Sequence, residues 1–111
     1  MKFAIPTVNG KLCEHFGHCE KFAIIETNEN EIISENFIAP PSDHQPGVYP
    51  QFLAQLKVDV IISGGMGQKA IDAFNENNIE VFAGVNSDSP VKLVVNYLNN
   101  QLAGGMNLCD H

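Results

Sequence analysis

The stretch Val58 to Gly84, "VDVIISGGMGQKAIDAFNENNIEVFAG", decides the fold. Its first part, "VDVIISGG", is an apolar run closed by glycines, as expected of a strand buried on both faces. Ala70, Ile71 and Phe74 follow at helical spacing, and "IEVFAG" supplies a further buried strand. Strand, helix and strand in so short a span make a parallel crossover unit, so parallel strands with helices packed on the sheet are expected.

Towards the C-terminus, Ser89 suits an N-cap and Pro90 the first helical position. Val91, Val94, Val95 and Leu98 then recur on one helical face. Towards the N-terminus, Lys2 to Thr7 ("KFAIPT") and Phe22 to Thr27 ("FAIIET") read as strands. The turn residues Asn28-Glu29-Asn30 lead into "EIISENFIA", Glu31 to Ala39, which predicts an antiparallel hairpin. "PPSDHQPG", Pro40 to Gly47, is a loop. Beyond it Val48, Phe52, Leu53 and Leu56 share a helical face, with Pro50 in the first turn. The order is β-β-β-α-β-α-β-α, an α/β three-layer domain with a mixed sheet. One domain is expected over 1–103. The glycines of "LAGGMNLCDH" end the last helix and leave 104–111 as a flexible tail.

The chain has 111 residues, 44% of them hydrophobic, which suits a single core. It has no apolar run long enough to span a membrane and no signal-peptide pattern at its start, so a cytoplasmic location is expected. A reducing compartment and an odd count of 3 cysteines oppose a structural disulfide framework. Lys and Arg number 6 against 13 Asp and Glu, a net charge of -7 that opposes nucleic-acid binding.

Chemistry concentrates in "LCEHFGHCEKF", Leu12 to Phe22, which places Cys13, His15, His18 and Cys19 in one short loop. Thiolate and imidazole suit zinc, copper(I) and iron–sulfur clusters, whereas magnesium and calcium prefer oxygen. The spacing is neither C-x-x-C nor that of a zinc finger, and a connecting loop with one buried cysteine and solvated histidines is the competing reading. Cys109 and His111 add a thiol and an imidazole at the C-terminus, where a tail could fold over a cargo or simply fray. His44 is a further possible donor, and Met66 and Met106 are weak thioether candidates better suited to packing.

The turn Gly64-Gly65-Met66-Gly67 joins a buried strand to a helix. Backbone amides backed by a helix dipole suit an anion such as phosphate, molybdate or a sulfide cluster. Gly65 to Ala70 also fits G-x-G-x-x-A, but the chain has too few crossover units for a dinucleotide, and glycines for a tight turn explain the pattern equally. No G-x-S-x-G, H-E-x-x-H or P-loop pattern occurs, and a non-enzymatic protein is expected.

The segment Glu14 to Glu26, "EHFGHCEKFAIIE", the stretch Val58 to Gly84 and the final helix together resemble the dinitrogenase iron-molybdenum cofactor biosynthesis family. His15-Phe16-Gly17, the aromatic Phe22 and the turn Gly64 to Gly67 carry the likeness, which covers essentially the whole chain. It implies a ribonuclease-H-like fold with a mixed five-stranded sheet and flanking helices. It does not imply nuclease chemistry, because Lys2 to Thr7 offers no carboxylate. It implies a small carrier or chaperone of iron–sulfur or molybdenum-containing clusters. His18-Cys19 stands where many members have an arginine and a small residue, which enriches soft ligands.

The resulting expectation is a carrier of an iron–sulfur or iron-, molybdenum- or copper-sulfide cluster. Cys13, His15, His18, Cys19, Cys109 and His111 are the candidate ligands, and Gly64 to Gly67 would bond sulfide or oxo groups. Cluster-biosynthesis or acceptor proteins would be its partners. The alternatives are a simple zinc or copper(I) binding protein and a regulatory module holding a small phosphate-bearing ligand at the glycine turn.

Overall fold

The computed structural model describes residues 1–13, 19–42 and 47–102. Six strands and three helices follow in the order β1 (Lys2–Val8), β2 (Lys11–Leu12), β3 (Lys21–Asn28), β4 (Glu31–Ile38), α1 (Val48–Gln55), β5 (Val60–Ile62), α2 (Gln68–Glu76), β6 (Glu80–Phe82) and α3 (Pro90–Leu98). The five expected strands form the path β4-β3-β1-β5-β6, and β2 pairs with β1 beside it. Strands β1, β5 and β6 run parallel, while β3 and β4 make the antiparallel half of this mixed sheet.

The extra strand comes from a turn. Asn9 and Gly10 stand at φ 56° and 81°, the pair of left-handed residues that closes a tight hairpin between Val8 and Lys11. Thr7 faces Leu12 and Val8 faces Lys11 in this hairpin. Because β5 pairs with β1 only at Phe3 and Ala4, the far end of that flank is left to β2.

Side-chain alternation along the strands feeds two cores, one on each face of the sheet. On one face Ala4, Phe22, Ile24, Ile61 and Val81 pack with Tyr49 and Leu53 of α1 and Ile71 and Phe74 of α2. On the other, Phe3, Ile5, Ala23, Ile25, Val60 and Ile62 pack with Leu93 and Val94 of α3. This is the expected three-layer arrangement. Helix α3 starts as the sequence predicts, with Pro90 in its first turn and the Ser89 hydroxyl accepting from the Lys92 N–H.

The buried run at Val58 to Gly65 is only partly strand. Lys2 N–H donates to the Asp59 carboxylate at 2.8 Å, and Ser63 and Gly64 continue past β5 through bonds to the β6 end.

Candidate functional site

The parallel strands β1, β5 and β6 all end on the same side of the molecule, and the antiparallel β3 begins there. The sheet order also reverses between β1 and β5, since the chain runs outward from β1 to β4 and then returns to build β5 and β6 on the other flank. Ligands of open α/β sheets bind outside the carboxyl ends of strands at such a reversal.

Two of the expected ligands are brought to this place. The Cys13 N–H donates to the Pro6 carbonyl at 3.0 Å on one flank of β1, and the Glu20 N–H, next to Cys19, donates to the Thr7 carbonyl at 2.7 Å on the other. The segment between the cysteines therefore starts and finishes on consecutive carbonyls of one central strand. Leu12, just before Cys13, is held from the outside as well, because its N–H donates to the Asp88 main-chain carbonyl at 3.0 Å and its own carbonyl accepts the Ser87 hydroxyl at 2.6 Å.

Cys13 is buried and Cys19 half-buried against the core that contains Tyr49 and Met66. Burial pushes the Cys19 thiol up to about 11, the charge of Cys13 adds to the rise, and a backbone hydrogen bond opposes it. Burial and then the charge of Cys19 raise the Tyr49 hydroxyl above an ordinary phenol. These couplings put two thiols and one phenol in a single neighbourhood. Tyr49 was not among the residues expected from sequence. Its signal was an aromatic hydroxyl in the first turn of α1, immediately after the Pro-rich loop.

The glycine turn lies at the same end, after β5. It is fixed to the β6 side: Gly84, at φ 76°, donates its N–H to the Gly64 carbonyl at 2.8 Å, and Val85 N–H donates to Ser63 at 3.1 Å. The buried Ser63 hydroxyl donates to the Gly64 carbonyl at 3.2 Å. Met66 has its side chain in the core at 5% exposure, so packing, not ligation, accounts for its thioether. Gly67 is the N-cap of α2 at φ -72°, with no side-chain cap, and a methyl group there would meet nothing within 4 Å. Neither backbone strain nor crowding by the protein requires glycine at this position. Its lack of a side chain instead leaves the mouth of the helix open.

His15, His18, Cys109 and His111, with His44, lie outside the described residues. Among the described residues, no three His, Cys, Asp or Glu side chains come together as a metal-holding group. No helix among them is long and apolar enough to cross a membrane.

The family model described as dinitrogenase iron-molybdenum cofactor matches residues 1–100. The chain belongs to this family. An uncharacterized protein of Methanocaldococcus jannaschii is 36% identical over 86 residues, covering 74% of this chain and 73% of that protein. The crystal structure of PH0822 matches with a TM-score of 0.84 at 22% identity, over 96% of this chain and 98% of that one. The apo form of the orange protein from Desulfovibrio gigas matches with a TM-score of 0.76 at 18% identity, over 94% and 92%. At these identities the two structures show a shared fold.

Proposed function

We propose that this member of the dinitrogenase iron-molybdenum cofactor family is a cytoplasmic, non-enzymatic carrier of an iron–sulfur or molybdenum-containing cluster, handed on to a cluster-biosynthesis or acceptor protein. The observation that carries the reading is that Cys13, Cys19 and the uncapped start of α2 all lie at the carboxyl end of the parallel strands. Thiolates are the ligands that iron and copper in sulfide clusters take, and N–H groups at a helix start suit the anionic sulfide or oxo groups of the same cargo. The two cysteines among the described residues are fewer than the thiolates that hold a resident iron–sulfur centre, and incomplete ligation suits a cargo that must leave. His15, His18, Cys109 and His111 are the further candidates to complete the shell.

Anaerobic reconstitution with iron and sulfide, then with molybdate or copper plus sulfide, tests the proposal through visible absorption and metal analysis after desalting. Stoichiometric coloured cluster in the parent, lost in a variant with Cys13, Cys19 and Cys109 changed to alanine, is the expected result. A parent that elutes colourless and metal-free from every mixture refutes it.

A further inference from the structure

Strand β4 is the last strand on its side of the sheet and pairs with β3 alone. In an antiparallel ladder alternate residues turn their N–H and C=O groups away from the partner, so the outer rim of β4 is a row of strand-pairing groups. Lysine or proline commonly guards such a rim, and Glu31 to Ile38 contains neither. A bulge interrupts it instead: Ser34 faces Glu26 and Ile32 faces Thr27, which leaves Ile33 as the extra residue. From Ser34 to Ile38 the register is regular.

Two large apolar side chains are exposed on this strand, Ile33 at 57% and Phe37 at 42%. Phe37 also forms one wall of an open groove of about 380 Å³, with Thr7, Asn9, Gly10, Glu20 and Lys21 as the others. Beyond Lys21, the first residue of β3 and a wall of that groove, the charge of the hairpin is negative. It carries Glu26, Glu29, Glu31 and Glu35, and no lysine or arginine occurs between Lys21 and Lys57.

We infer that the rim of β4 docks an extended segment of a partner protein in which apolar residues alternate with lysine or arginine. The segment adds to the sheet as its next strand. Main-chain bonds to Ser34–Ile38 hold it, Glu31 and Glu35 select positive charge, and the Phe37 groove receives one long side chain whose apolar stem lies on the ring. A second copy of this chain is disfavoured as occupant, because it would set one glutamate-bearing hairpin against another on chains that each carry a net charge of -7. The inference does not rest on the cargo reading: β4 itself carries neither cysteine, and only the groove beside Phe37 shares Thr7, Asn9, Gly10 and Glu20 with the elements that mount Cys13 and Cys19.

Fluorescence anisotropy of a labelled peptide alternating valine and lysine, titrated into the full chain, tests it against a valine–glutamate counterpart. The valine–lysine peptide should bind and should slow amide exchange at Ser34–Ile38. Glu31→Lys with Glu35→Lys should weaken it by about tenfold, and Phe37→Ala by a smaller factor. Asp72→Lys with Glu76→Lys on α2 makes the same change in net charge and should leave affinity within about twofold. Absence of binding, equal loss in both charge-reversed variants, protection elsewhere than β4, equal binding of the valine–glutamate peptide, or self-association through β4 would each overturn the inference.

Discussion

Gly67 separates what the fold needs from what a ligand needs. Its backbone at φ -72° suits any residue, and a methyl group there has open space. Gly67→Ala should therefore leave the urea midpoint within an equivalent of about 0.5 kcal/mol, because the lower entropy of the unfolded chain offsets alanine's poorer fit to an N-cap. On the carrier reading, the same substitution should lower cluster retention, because the added methyl group would stand at the helix start proposed to face the cargo. Cys19 gives a second prediction at this scale. Its proton is held up to about pH 11, and a metal must displace it to bind. Affinity should rise as pH is raised from 6 towards 9, which a chelator competition at several pH values reads directly. Both residues sit in motifs visible in the sequence, but their surroundings were not. The coupling between Cys19 and Tyr49 spans thirty positions along the chain, a reach that no local spacing encodes.

The elements were legible to different degrees, and the reasons are physical. Strands β3 and β4 and helix α3 follow from period and capping, because each is long enough to show a repeat. Strand β2 has two residues, too few for any period, and only Asn9-Gly10 marks it in the sequence. The apolar run from Val58 overstates β5, because hydrophobicity reports burial, and Val58 is buried without pairing in the sheet. The two left-handed residues of the β1–β2 turn give a test. At Gly10 an added methyl group would meet nothing within 4 Å, so the cost of Gly10→Ala is that of the backbone at φ 81°. A loss of about 1 kcal/mol in urea unfolding is expected. Because this turn delivers Cys13, reconstituted cluster should fall in the same variant.

For the molecule as a whole, alkaline pH is the informative axis. Burial first, and a neighbouring charge second, raise the acids of Cys19, Tyr49 and Tyr97, where the neighbour of Tyr97 is Glu80. Each group keeps its proton more firmly folded than unfolded, so its contribution is complete below the unfolded value and is lost as pH climbs through the folded one. Urea midpoints should be flat from about pH 6 to 8 and fall above about pH 9, with cysteine leading because its ordinary value is lowest. That Cys13, Cys19 and the glycine turn share one end of the sheet could be anticipated from sequence, because strand-helix alternation fixes which strand ends coincide. Which side chains stand close together there could not, because proximity across the sheet depends on the register of β1 with both β2 and β3.

That register has a consequence for how such a protein changes over time. Cys13 and Glu20 are each held by a main-chain bond to one of two neighbouring carbonyls of β1, so the anchorage does not depend on which side chains stand between them. Closing a longer segment would add little entropy cost, since that cost grows only with the logarithm of length. On the carrier reading, the residues between the two anchors can therefore be exchanged as a cassette, with other donors for another cargo, while β1 and its anchors stay as they are.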